Sequence, residues 1–131
     1  MSVKLLVAIL FSSAIASTAY AQSAVTNEDA QRVIQAVSAD KEKIKAYCDM
    51  IKLGRQMDAG RKTQDEQADE QERMNELTQK VGSEFQAMVD EYKAMDLTSA
   101  QGQETGATVQ MTINTLNKLC GPEVSRPHQR D

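Results

Sequence analysis

The spacing of apolar residues predicts that the chain begins its folded part with a long amphipathic helix. Beyond Thr26, apolar side chains recur every three or four residues, which is the period of one helix face. They are Ala30, Val33, Ile34, Val37, Ile44, Tyr47, Cys48 and Ile51. Thr26 can accept a hydrogen bond from the backbone N–H of Asp29, so we expect it to cap the helix. This first helix is predicted to run past Gly54 toward Gly60.

Two further helices follow from the same pattern. The second is predicted to span roughly 30 residues, because it starts in an acid-rich segment and keeps one apolar stripe throughout. The stripe consists of Met74, Leu77, Val81, Phe85, Met88, Tyr92 and Met95. The third is predicted to begin after Leu97-Thr98 and to stop at Gly121-Pro122, a strong terminator. Residues 123–131 contain few apolar side chains and are predicted to form a disordered tail.

The first 21 residues have the three zones of a secretory signal peptide. A positive charge at Lys4 precedes an apolar run over 5–11, and small residues end in Ala19-Tyr20-Ala21. This order predicts cleavage before Gln22 and export by the general secretory route, which indicates a periplasmic protein. One helical domain over 22–122 remains. No later segment approaches the roughly 20 apolar residues of a membrane span, so we expect no membrane insertion after cleavage.

The two cysteines, Cys48 and Cys120, are predicted to form a disulfide. Thiols in an oxidising compartment persist as disulfides, whereas two free buried thiols are the alternative. Thr26 and Thr98 each lie 22 positions before a cysteine. In an up-down-up bundle the first and third helices are parallel, so equal offsets place both cysteines about 33 Å along their helices. The predicted fold is therefore an all-α three-helix bundle with one disulfide.

In this fold the first two helices extend beyond the disulfide as a protruding hairpin with its tip near 58–65. No third helix covers that part, which predicts a contiguous exposed apolar patch, and such patches mark interaction sites. Its members are Ile51, Leu53, Met57, Met74 and Leu77. We expect this patch to bind unfolded or periplasmic polypeptide. Its closure in a symmetric homodimer is an alternative, since many oligomers are two-fold homodimers. A separate alternative is that the protein carries a small ligand in the core of the bundle.

Composition and charge narrow the functional classes. The chain has a net charge of −4, no Trp and 4% aromatic residues, which argues against nucleic-acid binding. The only histidine, His128, lies in the predicted tail, so no nucleophile has a histidine base near it. We therefore expect no enzymatic activity and no cofactor. The acids of 65–70 stand where a helix dipole favours them, and they lack a loop that could hold calcium.

The methionines raise a second hypothesis, a soft-metal site. Thioethers bind Cu(I), and Met50, Met57 and Met74 all lie near the predicted hairpin. Met50 and Met74 would face each other if the hairpin were centred near Lys62. Methionine is also ordinary core filler. Copper binding is therefore kept as an alternative to polypeptide binding.

Two short motifs resemble known proteins. Leu97-Thr98-Ser99-Ala100-Gln101 resembles the Leu-Thr-x-x-Gln signature of periplasmic stress chaperones. That resemblance implies a helical exported protein that binds unfolded clients, with Thr98 as a helix N-cap. Ala46-Tyr47-Cys48-Asp49 together with Lys118-Leu119-Cys120 is similar to uncharacterised small exported helical proteins of proteobacteria. This second resemblance implies a periplasmic location and no particular activity.

Cleavage of the leader is the first testable expectation. The small residues at 19 and 21 predict a cut between Ala21 and Gln22. The intact mass of protein recovered from the periplasm should therefore lack residues 1–21. A mature mass that includes Met1 would show that the segment is not a signal peptide.

Overall fold

A computed structural model describes residues 24–60 and 62–125, and within them every regular element is a helix. The predicted cleavage site and residues 126–131 of the predicted tail lie outside these ranges. The elements are α1 Asn27–Ser38, α2 Lys41–Asp58, α3 Gln64–Val81, α4 Ser83–Ala94, α5 Ala100–Asn117, a 3-10 turn Lys118–Cys120 and α6 Pro122–Ser125. Among these helices, none is both long and apolar enough to cross a membrane.

The helices form a bundle whose two halves differ. α1 packs against α4 and α5, which gives a three-helix body. α2 and α3 pack mainly against each other as an antiparallel hairpin, and α2 also contacts the 3-10 turn and α6. The path runs up through α1 and α2, down through α3 and α4, and up through α5. The predicted all-α bundle with an extended hairpin is confirmed.

Both long predicted helices are interrupted. Asp40 breaks the first predicted helix. Its carboxylate accepts hydrogen bonds from the backbone N–H groups of Glu42 and Lys43, so it caps a new helix. Gly82 interrupts the second with φ 124°, a backbone conformation that favours glycine. A Cβ on Gly82 would lie 3.2 Å from Nζ of Lys43. The Lys43 side chain, which follows the first interruption, therefore reaches the second one.

Tyr47 joins three helices in the core. It is fully buried, and its hydroxyl donates to Oδ1 of Asn117 at 2.8 Å. Its ring meets Phe85 edge to face, with centroids 5.7 Å apart. Burial raises the pKa of the Tyr47 phenol, so it stays a neutral donor. The buried apolar set around it is Val25, Val33, Val37, Ala46, Met50, Val81, Phe85, Met88, Val109 and Leu116.

Of the two predicted helix caps, the one at Thr26 is confirmed and the one at Thr98 is not. Thr26 caps α1 in a capping box with Asp29, as predicted. The prediction that Thr98 caps the last helix is wrong. Its hydroxyl donates to Asp96 at 2.6 Å, and Ser99 caps α5 by accepting from the N–H of Gly102. The Thr98 side chain is engaged in a tight turn with Asp96 and cannot cap the helix. The helix therefore starts one residue later than predicted.

The ordered chain continues beyond the predicted end of the domain. The helical path stops at Gly121, as expected, where φ is 81°. Pro122 then opens α6, Val124 is only 3% exposed, and its carbonyl accepts from Arg55 of α2. The tail was predicted to start at residue 123 because nothing there was expected to be buried. Val124 corrects this boundary, since it finds an apolar site beside α2.

Cys48 of α2 and Cys120 of the 3-10 turn form the predicted disulfide. Their sulfurs lie 2.00 Å apart and their Cα atoms 5.5 Å apart, within the usual range for a disulfide. The bond closes a separation of 72 residues. It fastens the base of the hairpin to the end of α5.

Removal of this bond should lower stability without dissolving the helices. Chain-entropy arguments give about 4 kcal/mol for a loop of this length. Cys48→Ala with Cys120→Ala should unfold at lower urea concentration than the oxidised protein, while its far-ultraviolet circular dichroism stays helical. Equal midpoints for the oxidised and double-alanine proteins would contradict this.

Two glycines should respond to alanine in opposite directions. A Cβ on Gly102 would lie 2.0 Å from the carbonyl oxygen of Asp96, so Gly102→Ala should destabilise the protein by about 1–3 kcal/mol. Gly54 lies inside α2, and its Cβ would meet only the end of Met74 at 3.8 Å. Gly54→Ala should therefore stabilise it by about 0.5–1 kcal/mol. Urea unfolding measures both, and a neutral Gly102→Ala would contradict the close approach.

Candidate functional site

A groove runs along one face of the α2–α3 hairpin, and we call it the hairpin groove. It has a volume of about 450 Å³ and is lined by Asp49, Lys52, Leu53 and Gln56 of α2 and by Arg73, Glu76, Leu77 and Lys80 of α3. On each helix these residues follow the spacing i, i+3, i+4, i+7, which is a single stripe. Each stripe covers about 10 Å of helix. The groove is therefore the seam between one face of α2 and one face of α3.

The hairpin groove has a small apolar floor and charged walls. Leu53 is 4% exposed and Leu77 is half-buried. The walls carry three basic side chains, which are Lys52, Arg73 and Lys80, against two acids and one amide. A protein of net charge −4 thus has a net positive lining at this place. The arrangement can hold an apolar side chain at the floor and acidic side chains along the walls.

One of the two wall acids already has a partner. Asp49 accepts from Nζ of Lys45 at 2.6 Å, one turn earlier on α2. This hydrogen bond raises the pKa of Lys45, whose ammonium group stays charged throughout the neutral range. The pair is exposed, so it contributes little to stability. It does reduce the negative charge that Asp49 presents to the groove, which leaves the basic walls dominant.

The five residues predicted to bind a partner do not form the contiguous exposed patch that was expected. Leu53 and Leu77 line the hairpin groove, whereas Ile51 and Met74 are half-buried and pack against the core. Met57 is half-buried near the end of α2. The patch prediction is wrong because α2 and α3 cover each other's apolar side chains without help from a third helix. Binding through Leu53 and Leu77 stays a prediction.

The methionine pair of the copper hypothesis is out of register by one helical turn. Met50 lies beside Thr78, whose hydroxyl is 3.6 Å from the methionine sulfur. Met74 lies beside Gly54 instead. These two pairs centre the hairpin near residue 64. At its tip, Nζ of Lys62 donates to the carbonyl of Gln56 at 2.9 Å. Within the described ranges, no group of three or more His, Cys, Asp or Glu side chains gathers as a metal site.

The acids at the hairpin tip hold the local structure together. Thr63 caps α3 in a capping box with Glu66, and the hydrogen bond from the Thr63 backbone lowers the pKa of that carboxyl group. Glu70 pairs with Lys62, and both side chains are about four-fifths buried. These contacts fix the turn between α2 and α3. The acid-rich segment therefore serves the hairpin, in line with its predicted place at a helix start.

Sequence reasoning found the floor of the hairpin groove and missed its walls. Lys52, Arg73 and Lys80 look like solvated charges when each helix is considered alone. The signal that could have found them is the matching i, i+3, i+4, i+7 stripe on both helices. That signal becomes useful only once the register of the hairpin is known.

Comparisons with known proteins give no further guide to the site. No protein-family model matches the chain, and neither curated proteins nor solved structures give a significant match.

Proposed function

We propose that this chain is an exported, periplasmic, non-enzymatic protein that binds another polypeptide in the hairpin groove. The groove itself is the observation that supports the proposal most directly, because its lining joins an apolar floor to charged walls. Export is supported by the leader pattern of residues 1–21. The disulfide fits an oxidising compartment.

The shape of the groove favours a helical segment as its occupant. Two antiparallel helices leave a seam into which a third amphipathic helix can lie, with its apolar residues spaced to match the seam. Such a segment would place an apolar side chain over Leu53 and Leu77. Acidic residues on its flanks would meet Lys52, Arg73 and Lys80. The partner is thus expected to be an amphipathic segment with acidic flanks.

The affinity of this interaction should be low and sensitive to salt. Only Leu77 offers much apolar surface, because Leu53 is already 4% exposed. Burial of apolar surface contributes about 25 cal/mol per Å², so one half-buried leucine adds only about 1 kcal/mol. Most of the remaining attraction comes from exposed charges, which salt screens within about 8–10 Å. Weak binding of many clients is the behaviour of a chaperone-like or stress-accessory protein.

Copper binding is the less favoured alternative. It required Met50 and Met74 to face each other, and they lie one turn apart on the hairpin.

Binding can be measured with a fluorescent, reduced and carboxymethylated test protein, which is unfolded and acidic. Its anisotropy should rise with added wild-type protein at low salt, and the rise should shrink severalfold at about 0.5 M salt. The double variant Arg73→Glu with Lys80→Glu should lose most of the rise, because it reverses two wall charges. Leu77→Asp should do the same by charging the floor.

The matched control changes the same amount of charge elsewhere. Lys41→Glu with Lys118→Glu alters two exposed lysines outside the groove lining, so it should bind like the wild type. Circular dichroism and melting temperature establish that each variant is folded. If the control and the groove variants weaken binding equally, the effect is one of net charge and the groove is not the site. No rise with the wild type at millimolar protein would reject polypeptide binding.

A further inference from the structure

The first half of α5 buries no large apolar side chain. We call the segment from the turn at Asp96 to the middle of α5, residues 96–108, the strap. Its buried residues are Gly102, Thr105 and Thr108. The second half of α5 differs, because it buries Val109 and Leu116. A segment with few buried apolar contacts opens more readily than the core of a protein, so the strap is the weaker half of the helix.

One of the buried threonines of the strap has an unpartnered hydroxyl group. The hydroxyls of Thr108, Thr112 and Thr115 donate to the backbone carbonyl four residues earlier, at 3.1, 2.8 and 2.9 Å. Thr105 is only 1% exposed, and its Oγ1 has no hydrogen-bond partner among the described residues. A buried hydroxyl without a partner costs free energy, because it has lost its hydrogen bonds to water. Opening of the strap would recover this cost.

Two glycines weaken the helix of the strap further. Gly102 and Gly106 lie four residues apart, and glycine is the poorest helix former after proline. Gly102 is required, because a Cβ there would lie 2.0 Å from the carbonyl oxygen of Asp96. A Cβ on Gly106 would lie 3.9 Å from Cε2 of Tyr92, which is an ordinary contact. At Gly106 the strap therefore has a residue that weakens the helix without being required by the packing.

The elements on both sides of the strap are well anchored. α4 precedes the strap and buries Phe85 and Met88. The second half of α5 follows it and is joined to α2 by the hydrogen bond from Tyr47 to Asn117. The disulfide at Cys120 lies just beyond. A weak segment between two anchored ones can open while both of its neighbours stay folded.

We propose that the strap unfolds locally in the native protein, and that the unpartnered hydroxyl of Thr105 favours its open state. The opening breaks the helical hydrogen bonds of residues 103–108. It uncovers the sides of α1 and α4 that pack against α5, including Tyr92 beside Gly106. The strap is thus a lid over the interior of the three-helix body. This inference does not rest on the hairpin groove, which shares no residue with the strap.

Hydrogen exchange, measured for each amide by NMR, tests the opening. Relative to unfolded-chain rates, the amides of residues 103–108 should exchange about tenfold or more faster than those of residues 30–35 in α1. The two sets occupy the same positions after their N-caps, Ser99 and Thr26, so ordinary fraying of a helix end affects both equally. Exchange in the strap should also change little in low urea, because a local opening exposes little surface.

Variants identify what sets the opening. Thr105→Val removes the unpartnered hydroxyl and should slow exchange in the strap about tenfold. Thr108→Val makes the same change at a hydroxyl that has a partner, so it should slow the strap less. Gly106→Ala should slow it about threefold by favouring the helix. Gly54→Ala is the matched control, since it stabilises α2 and should leave exchange in the strap unchanged.

The outcomes separate a local opening from unfolding of the whole chain. Slowing by Thr105→Val and Gly106→Ala, without slowing by Gly54→Ala, supports the proposal. Equal slowing by Gly54→Ala and Gly106→Ala overturns it, because the strap then exchanges only through global unfolding. Strap amides as protected as those of residues 30–35 overturn it as well. So does a Thr105→Val variant that slows the strap no more than Thr108→Val.

Discussion

The attachment of α2 to the end of α5 is the constraint on which the rest of the structure depends. Two successive residues make it. Tyr47 donates to Asn117 and packs against Phe85, and Cys48 is bonded to Cys120. Arg55 adds a third connection two turns later through the carbonyl of Val124. Because these contacts all lie on one side of α2, its other side is available to α3 and to the hairpin groove.

This attachment explains why the hairpin can extend past the rest of the bundle. A two-helix hairpin buries too little apolar surface to be fixed by its own contacts, and here the breaks at Asp40 and Gly82 separate both of its helices from the rest of the bundle. The disulfide and Tyr47 fix its base just beyond those breaks. The hairpin therefore keeps its orientation while the seam between α2 and α3 stays open on one face.

Much of the fold could be predicted from local sequence patterns. Features that depend on how the helices pair in space could not. The apolar stripes, the Thr26 cap and the disulfide follow from spacing and compartment. The break at Asp40 does not, because Val37 and Ile44 keep the helical period across it, and an Asp inside such a pattern looks like an exposed residue. The groove floor was predicted through Leu53 and Leu77, whereas its basic walls depend on the hairpin register, which no local pattern sets.

Charge is divided unequally between two helices of equal length, α3 and α5. α3 carries eight charged residues and α5 carries one, although both have many exposed positions. The charged residues of α3 keep the exposed hairpin hydrated, and some of them form polar walls of the groove. Solubility would favour the same composition on α5, which instead exposes Met111 beside Ala107.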